Sequence, residues 1–171
     1  MLEEPLRAPQ YNLDGYVWNG ELHVLGVVDA VMYPGTQAFM RFELAAQSSR
    51  LPTAVAERAA GVARKFLATV GFTHGLFNME FFHDPASDRL AVIEFNPRLA
   101  SQFGDLYRRV HGVDAHALGI ALAMGQDPAT LQRAPATAGV AASFVYRTFD
   151  AGELPSMPGP CASTWRRRSR T

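Results

Sequence analysis

An α+β domain on an antiparallel sheet is the fold class this sequence predicts, and three observations predict it. Two pairs of alternating segments, each joined by a short polar turn, read as β-hairpins over residues 10–28 and 75–98. A segment with helical spacing lies between them. Two shorter helical segments and a last strand follow. The order β-β, α, β-β, α-α, β groups like elements together, which favours an antiparallel sheet with flanking helices.

Residues 1–9 (MLEEPLRAP) hold two acids and two prolines and predict no element of their own. In the first hairpin, Tyr11 to Trp18 and Glu21 to Val28 flank Asn19-Gly20. That pair suits a type I′ turn, whose two central residues both need positive φ. Residues 29–50 carry a turn at Pro34-Gly35 and a short strand over Phe39–Leu44. The stretch reads either as a mobile loop over a site or as a surface connection. From Pro52 to Val70 the period becomes helical: Val55, Ala59, Val62, Phe66 and Val70 form the predicted buried stripe, with Glu57, Arg58, Arg64 and Lys65 outside it. Pro52 and Thr53 supply the start and Gly71 the stop. Asp105–Val110 predicts a short helix closed near Gly112, and Asp114 caps a further helix over Ala115–Met124, ended by Gly125 and Pro128. Gly139–Phe149 reads as the final strand. The remainder, 150–171, is a tail that ends TWRRRSRT; a basic end can grip nucleic acid or lipid, but a frayed or non-native terminus is the favoured reading.

The second hairpin carries the chemistry. Leu76, Asn78, Glu80 and Phe82 share one face of its first arm, and Phe77, Met79 and Phe81 the other. In the second arm Leu90, Val92, Glu94 and Asn96 share a face opposite to that of Ala91, Ile93 and Phe95. Pairing Met79 with Phe95 and Phe81 with Ile93 makes a continuous apolar layer, and the same register sets Glu80 opposite Glu94 and Asn78 opposite Asn96. Directly opposed Cβ atoms lie about 4.5–5.5 Å apart, where like charges destabilise a sheet. Such a pair needs a cation or a shared proton between the carboxylates.

Composition narrows the partners. The 171 residues suffice for one domain with a core, or for part of a larger one. Formal net charge is zero, so nothing draws the chain as a whole to nucleic acid or an anionic membrane. There is a single lysine, Lys65, and a single cysteine, Cys161, which excludes an intramolecular disulfide framework and a cysteine-based metal site. No apolar run approaches the roughly 18 residues of a membrane span, and nothing resembles a signal peptide. The default is a soluble cytoplasmic protein.

Glu80, Glu94 and Asn96 all offer oxygen, which suits hard cations such as Mg²⁺ held by one or two carboxylates and substrate phosphates. Arg98, past Pro97, can hold a carboxylate or phosphate bidentately. Two other readings compete. The acids and the arginine can be a surface ion-pair set. Alternatively they can be a glycosidase pair, since retaining enzymes hold two carboxyls about 5–5.5 Å apart, but that scheme has no special use for Asn96-Pro97-Arg98. Lys65 reads as solvated helix surface. His74, His83, His111 and His116 lack the i, i+4 spacing of a helical metal pair and read as ordinary surface or cap residues.

Asn78-Met-Glu80-Phe-Phe, followed by Ile93-Glu-Phe-Asn-Pro-Arg98 with its glutamate fourteen residues after the first, resembles the C-terminal lobe of the ATP-grasp superfamily of carboxylate–amine ligases. Gly112-Val113-Asp114 with its helix, and the Asp14-Gly-Tyr-Val…Asn19-Gly hairpin, support the likeness, which spans residues 3–149. The resemblance implies a lobe over 1–149, with ATP and Mg²⁺ (or Mn²⁺) as cofactors. Glu80 and Glu94 would be metal ligands, Glu94 bridging two ions and Asn96 serving the second. Arg98 would stabilise the transferring phosphate or an acyl phosphate. Phe82 would pack against adenine, with core packing the competing role, and Glu3 and Glu4 would contact adenine and ribose. The implied reaction is ADP-forming: a small carboxylate takes the γ-phosphoryl group and an amine attacks the acyl phosphate. No nucleic-acid or membrane partner is implied, and a homodimer is compatible.

The chain also departs from that family. The Gly-rich phosphate loop and the phosphate-binding lysines of the small lobe have no counterpart. Leu99-Ala-Ser-Gln-Phe103 stands where biotin carboxylase relatives carry another glutamate, which argues mildly against bicarbonate and biotin. The expectation is a fragment holding the metal half of a site and inactive alone. The competing reading is a non-catalytic remnant that binds nucleotide or metal or serves oligomerisation.

Overall fold

The computed structural model describes residues 6–46, 49–147 and 149. Glu3, Glu4 and the tail over 150–171 lie outside the described residues.

Six strands form one antiparallel sheet: β1 (Gln10–Trp18), β2 (Glu21–Met32), β3 (Phe39–Ala45), β4 (Gly75–Asp84), β5 (Arg89–Asn96) and β6 (Val140–Phe144). Their order across the sheet is β5-β4-β1-β2-β3-β6, with every neighbouring pair antiparallel. Helix α1 (Thr53–Thr69) covers one face, and α2 (Gly104–His111) and α3 (Ala115–Ala123) cover the other. This is the predicted α+β class. β2 runs on to Met32, four residues beyond the expected arm, because it pairs with β3 from Asp29 to Met32. β6 is shorter than the expected 139–149 strand.

Local chemistry sets the element ends. Asn19 and Gly20 have φ of 52° and 82°, as the type I′ turn requires. Gly112 closes α2 at φ 66°, the left-handed position that glycine takes without penalty. The Asp114 carboxylate accepts hydrogen bonds from the backbone N–H groups of His116 and Ala117 and so caps α3.

The α1-side core joins Tyr11, Leu13, Val17, Phe77, Met79 and Phe81 of the sheet to Val55, Ala59, Ala63 and Leu67 of the helix. This corrects the predicted stripe. Val62, Phe66 and Val70 are exposed, and the buried row runs 55-59-63-67. Small Ala59 and Ala63 let the helix settle close against the large side chains of β4. Phe66 is pushed to the flank, where its ring stacks on Phe95 with centroids 4.2 Å apart. On the opposite face Val28, Leu44, Phe103, Leu106, Tyr107 and Leu118 form the second core.

Register in the β4–β5 hairpin holds through its first half. Asn78 faces Asn96, Met79 faces Phe95 and Glu80 faces Glu94. Beyond Glu80 a bulge shifts the pairing, so that Phe81 faces Val92 rather than the expected Ile93. The extra residue reverses the alternation of the remaining strand. Leu90 therefore packs with Phe95 on the α1 side, and Ala91 joins Phe82 on the other. Ile93, left without a partner residue, is 45 % exposed.

Among the described residues no helix is long and apolar enough to cross a membrane.

Candidate functional site

Alternation along β1 and β4 places Gln10, Asn12 and Asp14 beside Asn78, Glu80 and Phe82, all on the face away from α1. Two adjacent strands thus present a polar band, and β5 extends it with Glu94 and Asn96. Glu80 sits across from Glu94 on one side and Asn12 on the other. Its Oε2 accepts from Gln10 Nε2 at 2.8 Å. Burial pushes the Glu80 carboxyl pKa up, and the Glu94 charge pushes it further, against the lowering effects of the Gln10 bond and Arg98. The predicted conflict of charge between the two carboxylates is therefore present.

Asn96 donates from Nδ2 to Glu94 Oε1 at 2.7 Å and, at 3.5 Å, to Asn78 Oδ1. Arg98 is exposed; its Nη1 donates to the Leu99 carbonyl at 3.3 Å, and its charge reaches both Glu80 and Asp14. Phe82 is half-buried and forms the wall between two openings. One, of about 610 Å³, is lined by Arg7, Gln10, Met32, Gln37 and Phe82, among others. The other, of about 220 Å³, includes Arg7, Asp84, Arg89 and Ala91. Glu80, Phe82, Glu94 and Asn96 thus share the face away from α1, and Arg98, just past the end of β5, is near enough for its charge to act on Glu80. Lys65, on exposed α1, is on the far side of the sheet.

The donor set suits a hard cation. Two carboxylates face each other across a strand pair, the neutral amide beside them supplies further oxygen, and no soft ligand is present. Among the described residues no cluster of three His, Cys, Asp or Glu forms a metal site. The set here contains two carboxylates and one amide, so substrate phosphates or water would have to complete the coordination.

Behind this surface lies a buried layer. Asp14, only 3 % exposed, accepts from Tyr107 Oη at 2.8 Å and from Asn78 Nδ2 at 3.0 Å. Burial raises its pKa to about 7; the Tyr107 and Asn78 bonds oppose the rise, and the Glu80 charge adds to it. Tyr107 is wholly buried, and its hydroxyl pKa is driven up by burial and then by the Asp14 charge. Asn78 Nδ2 also donates to Asn12 Oδ1 at 3.3 Å, and Asn12 Nδ2 is a buried amide donor without a partner among the described residues.

No protein-family model and no curated protein matches the chain. Solved structures do match. The biotin carboxylase domain of a single-chain bacterial carboxylase aligns with TM-score 0.61 and 23% identity over 80% of this chain and 32% of that one. L-amino acid ligase from Bacillus licheniformis aligns with TM-score 0.65 and 13% identity over 82% and 34%. The biotin carboxylase domain dimer of Hydrogenobacter thermophilus 2-oxoglutarate carboxylase, in complex with MgADP and bicarbonate, aligns with TM-score 0.56 and 21% identity over 69% and 25%. The fold is that of the ATP-grasp C-terminal lobe. The chain spans between a quarter and about a third of the length of these three structures.

The layer of Gln10, Asn12, Asp14 and Tyr107 is not among the residues that the sequence reading singles out for a function. Its signal in the sequence is the run Gln10-Tyr-Asn-Leu-Asp14: three polar side chains alternate with apolar ones in a strand destined for the middle of the sheet. Buried polar residues in register must answer one another across strands. Tyr107 carries no comparable mark, since a tyrosine inside a helical stripe reads as core.

Proposed function

We propose that this chain is the nucleotide- and magnesium-binding lobe of an ADP-forming ligase, one that activates a small carboxylate as an acyl phosphate for attack by an amine. The observation that carries this reading is the juxtaposition of Glu80, Glu94 and Asn96 on one sheet face, beside a cleft walled by Phe82, within the ATP-grasp lobe fold. Glu80, Glu94 and Asn96 would hold the Mg²⁺ ions (or Mn²⁺). When bound, the metal neutralises phosphate charge and orients the triphosphate.

The chain's own residues set the rest. Gln10 holds Glu80 by one oxygen, so the carboxylate is oriented before any cation arrives. Glu94, exposed on the edge strand, has the freer side chain and suits the bridging role. Arg98 keeps most of its guanidinium donors available for a phosphate or carboxylate, since among the described residues it makes a single long bond, to the Leu99 carbonyl. Phe82 offers a ring face to a base in the cleft. Glu3 and Glu4 complete the nucleotide contacts in this reading. ATP supply places such an enzyme in the cytoplasm, and a homodimer is checked by light scattering.

The test is titration of MgADP into the purified chain, followed by heat and by protection from thermal unfolding. Binding that is lost in Glu94→Gln supports the assignment, and binding unchanged in that variant removes it. A second reading, a nucleotide- or metal-binding module without catalysis, is favoured by one observation: the sole lysine lies on the face opposite the carboxylates, so the site has no phosphate-binding lysine. ATP turnover by the chain alone would exclude that module.

A further inference from the structure

An asparagine can turn either its oxygen or its NH₂ toward a cation, and only the oxygen binds. The hydrogen bonds beneath the site decide which. Asp14 offers Oδ1 as an acceptor whether or not Oδ2 carries a proton, so the amide facing Oδ1 must present its NH₂. Asn78 does so, with Nδ2 3.0 Å from Asp14 Oδ1. Its own Oδ1 consequently points the other way and accepts from Asn96 Nδ2 at 3.5 Å. The same Asn96 Nδ2 donates to Glu94 Oε1. Both bonds consume the NH₂ end of Asn96, and no described residue donates to its Oδ1. A cation at Glu94 draws that carboxylate's oxygens to itself, which leaves Asn78 as the acceptor that keeps the Asn96 amide from turning over.

We propose that buried Asp14 is a positioning residue: it fixes the direction of the Asn78 and Asn96 amides and thereby makes Asn96 an oxygen ligand. The inference rests on the metal reading above and adds to it a residue that touches neither metal nor nucleotide. Tyr107 has a different part. It donates to the second Asp14 oxygen, which Asn78 does not use, so it stabilises the buried carboxylate without setting the amide direction.

The experiment measures Mn²⁺ affinity in the presence of ADP, by electron paramagnetic resonance on the full 171-residue chain, for the parent, Asp14→Leu, Tyr107→Phe, Asn96→Asp and the Asp14→Leu/Asn96→Asp pair. Asp14→Leu, which leaves Asn78 without its acceptor at 14, is expected to weaken Mn²⁺ about tenfold, the size usual for a partner behind a metal ligand. Tyr107→Phe should lower the melting temperature and leave Mn²⁺ affinity unchanged. Aspartate at 96 presents oxygen in either orientation, so in that background Asp14→Leu should cost nothing, a coupling that general loosening of the fold would not produce. Equal affinity for parent and Asp14→Leu overturns this inference alone, as does an equal loss in both backgrounds. Failure of the parent to bind overturns the metal reading and this inference with it. If Asp14→Leu does not fold, Asn78→Leu enters the same cycle, since it removes the acceptor for Asn96 and should also lose affinity only when Asn96 is present.

Discussion

Acid should stabilise this protein through Asp14, against the usual behaviour of a carboxylate. In the folded chain burial holds the Asp14 pKa at about 7, whereas its ordinary value is 3.8. Between those values the unfolded chain has released the proton and the folded chain has kept it. The folded state therefore binds more protons, and stability falls as pH rises. The contribution is complete below about pH 4, declines through the window up to about pH 7 and is gone above it. The step from 3.8 to about 7 amounts to about 4 kcal/mol at roughly 1.4 kcal/mol per pH unit. Other groups titrate over the same range, so the measurement is a difference: urea unfolding of the metal-free chain and of Asp14→Asn at steps from pH 4 to 8. Asparagine does not titrate, and whatever its amide costs beside Asn78 and Tyr107 is the same at every pH. Relative to the variant, the parent should lose most of those 4 kcal/mol across the window. A difference that stays constant to within about 1 kcal/mol, near the error of the extrapolation, would refute the buried, proton-holding Asp14.

Three further outcomes follow from the packing and the site. Leu67→Ala, in the buried row of α1, should cost about 3 kcal/mol in urea unfolding, while Val70→Ala, at a position 59 % exposed, should cost well under 1 kcal/mol; equal costs would mean that α1 is rotated to the stripe expected from spacing. Gly15→Ala should destabilise by about 3 kcal/mol, because its Cβ would meet the His23 carbonyl and come 2.7 Å from the Phe77 ring; an unchanged melting temperature would show that β1 can move away. Mn²⁺ binding with ADP should release protons in mildly acidic solution, since Glu80 has its pKa raised by burial and by Glu94 in the free chain; calorimetry in two buffers of different ionisation enthalpy reads the release, and no dependence on buffer counts against Glu80 as a ligand.

What could be read from the residues alone was set by how far each signal reaches. The type I′ turn at Asn19-Gly20 is a demand on two adjacent φ angles, and it is met. The facing of Glu80 and Glu94 depends on one hairpin register near Met79 and Phe95, and a slip there would have exposed both. A bulge leaves no such mark. Placing Ile93 outside the ladder costs one pairing but brings Leu90 onto the α1 core and Ala91 beside Phe82, a trade decided by the far end of the strand and by the helix above it. The row on α1 was settled in the same way. Spacing pointed to the row through Val62, Phe66 and Val70, and large Phe77, Met79 and Phe81 beneath selected the neighbouring one through Ala63 and Leu67.

The buried polar layer lies furthest from anything local. Asp14 and Tyr107 are 93 positions apart, and neither residue requires the other until the sheet and α2 come together. Yet the polar face of β1 was open to an argument from need: three polar side chains in the interior of a sheet must find partners on adjacent strands, and Asn78 and Glu80 were the polar residues on the candidate neighbour. That argument predicts where partners lie but not which amide end faces which. The direction is settled by Asp14, the acceptor of Asn78 Nδ2 that cannot turn over, whereas the second acceptor, Asn12 Oδ1, belongs to an amide that can. For that reason the direction of the Asn78 amide, and not the mere presence of Asn96 beside Glu94, is the feature on which oxygen ligation by Asn96 depends.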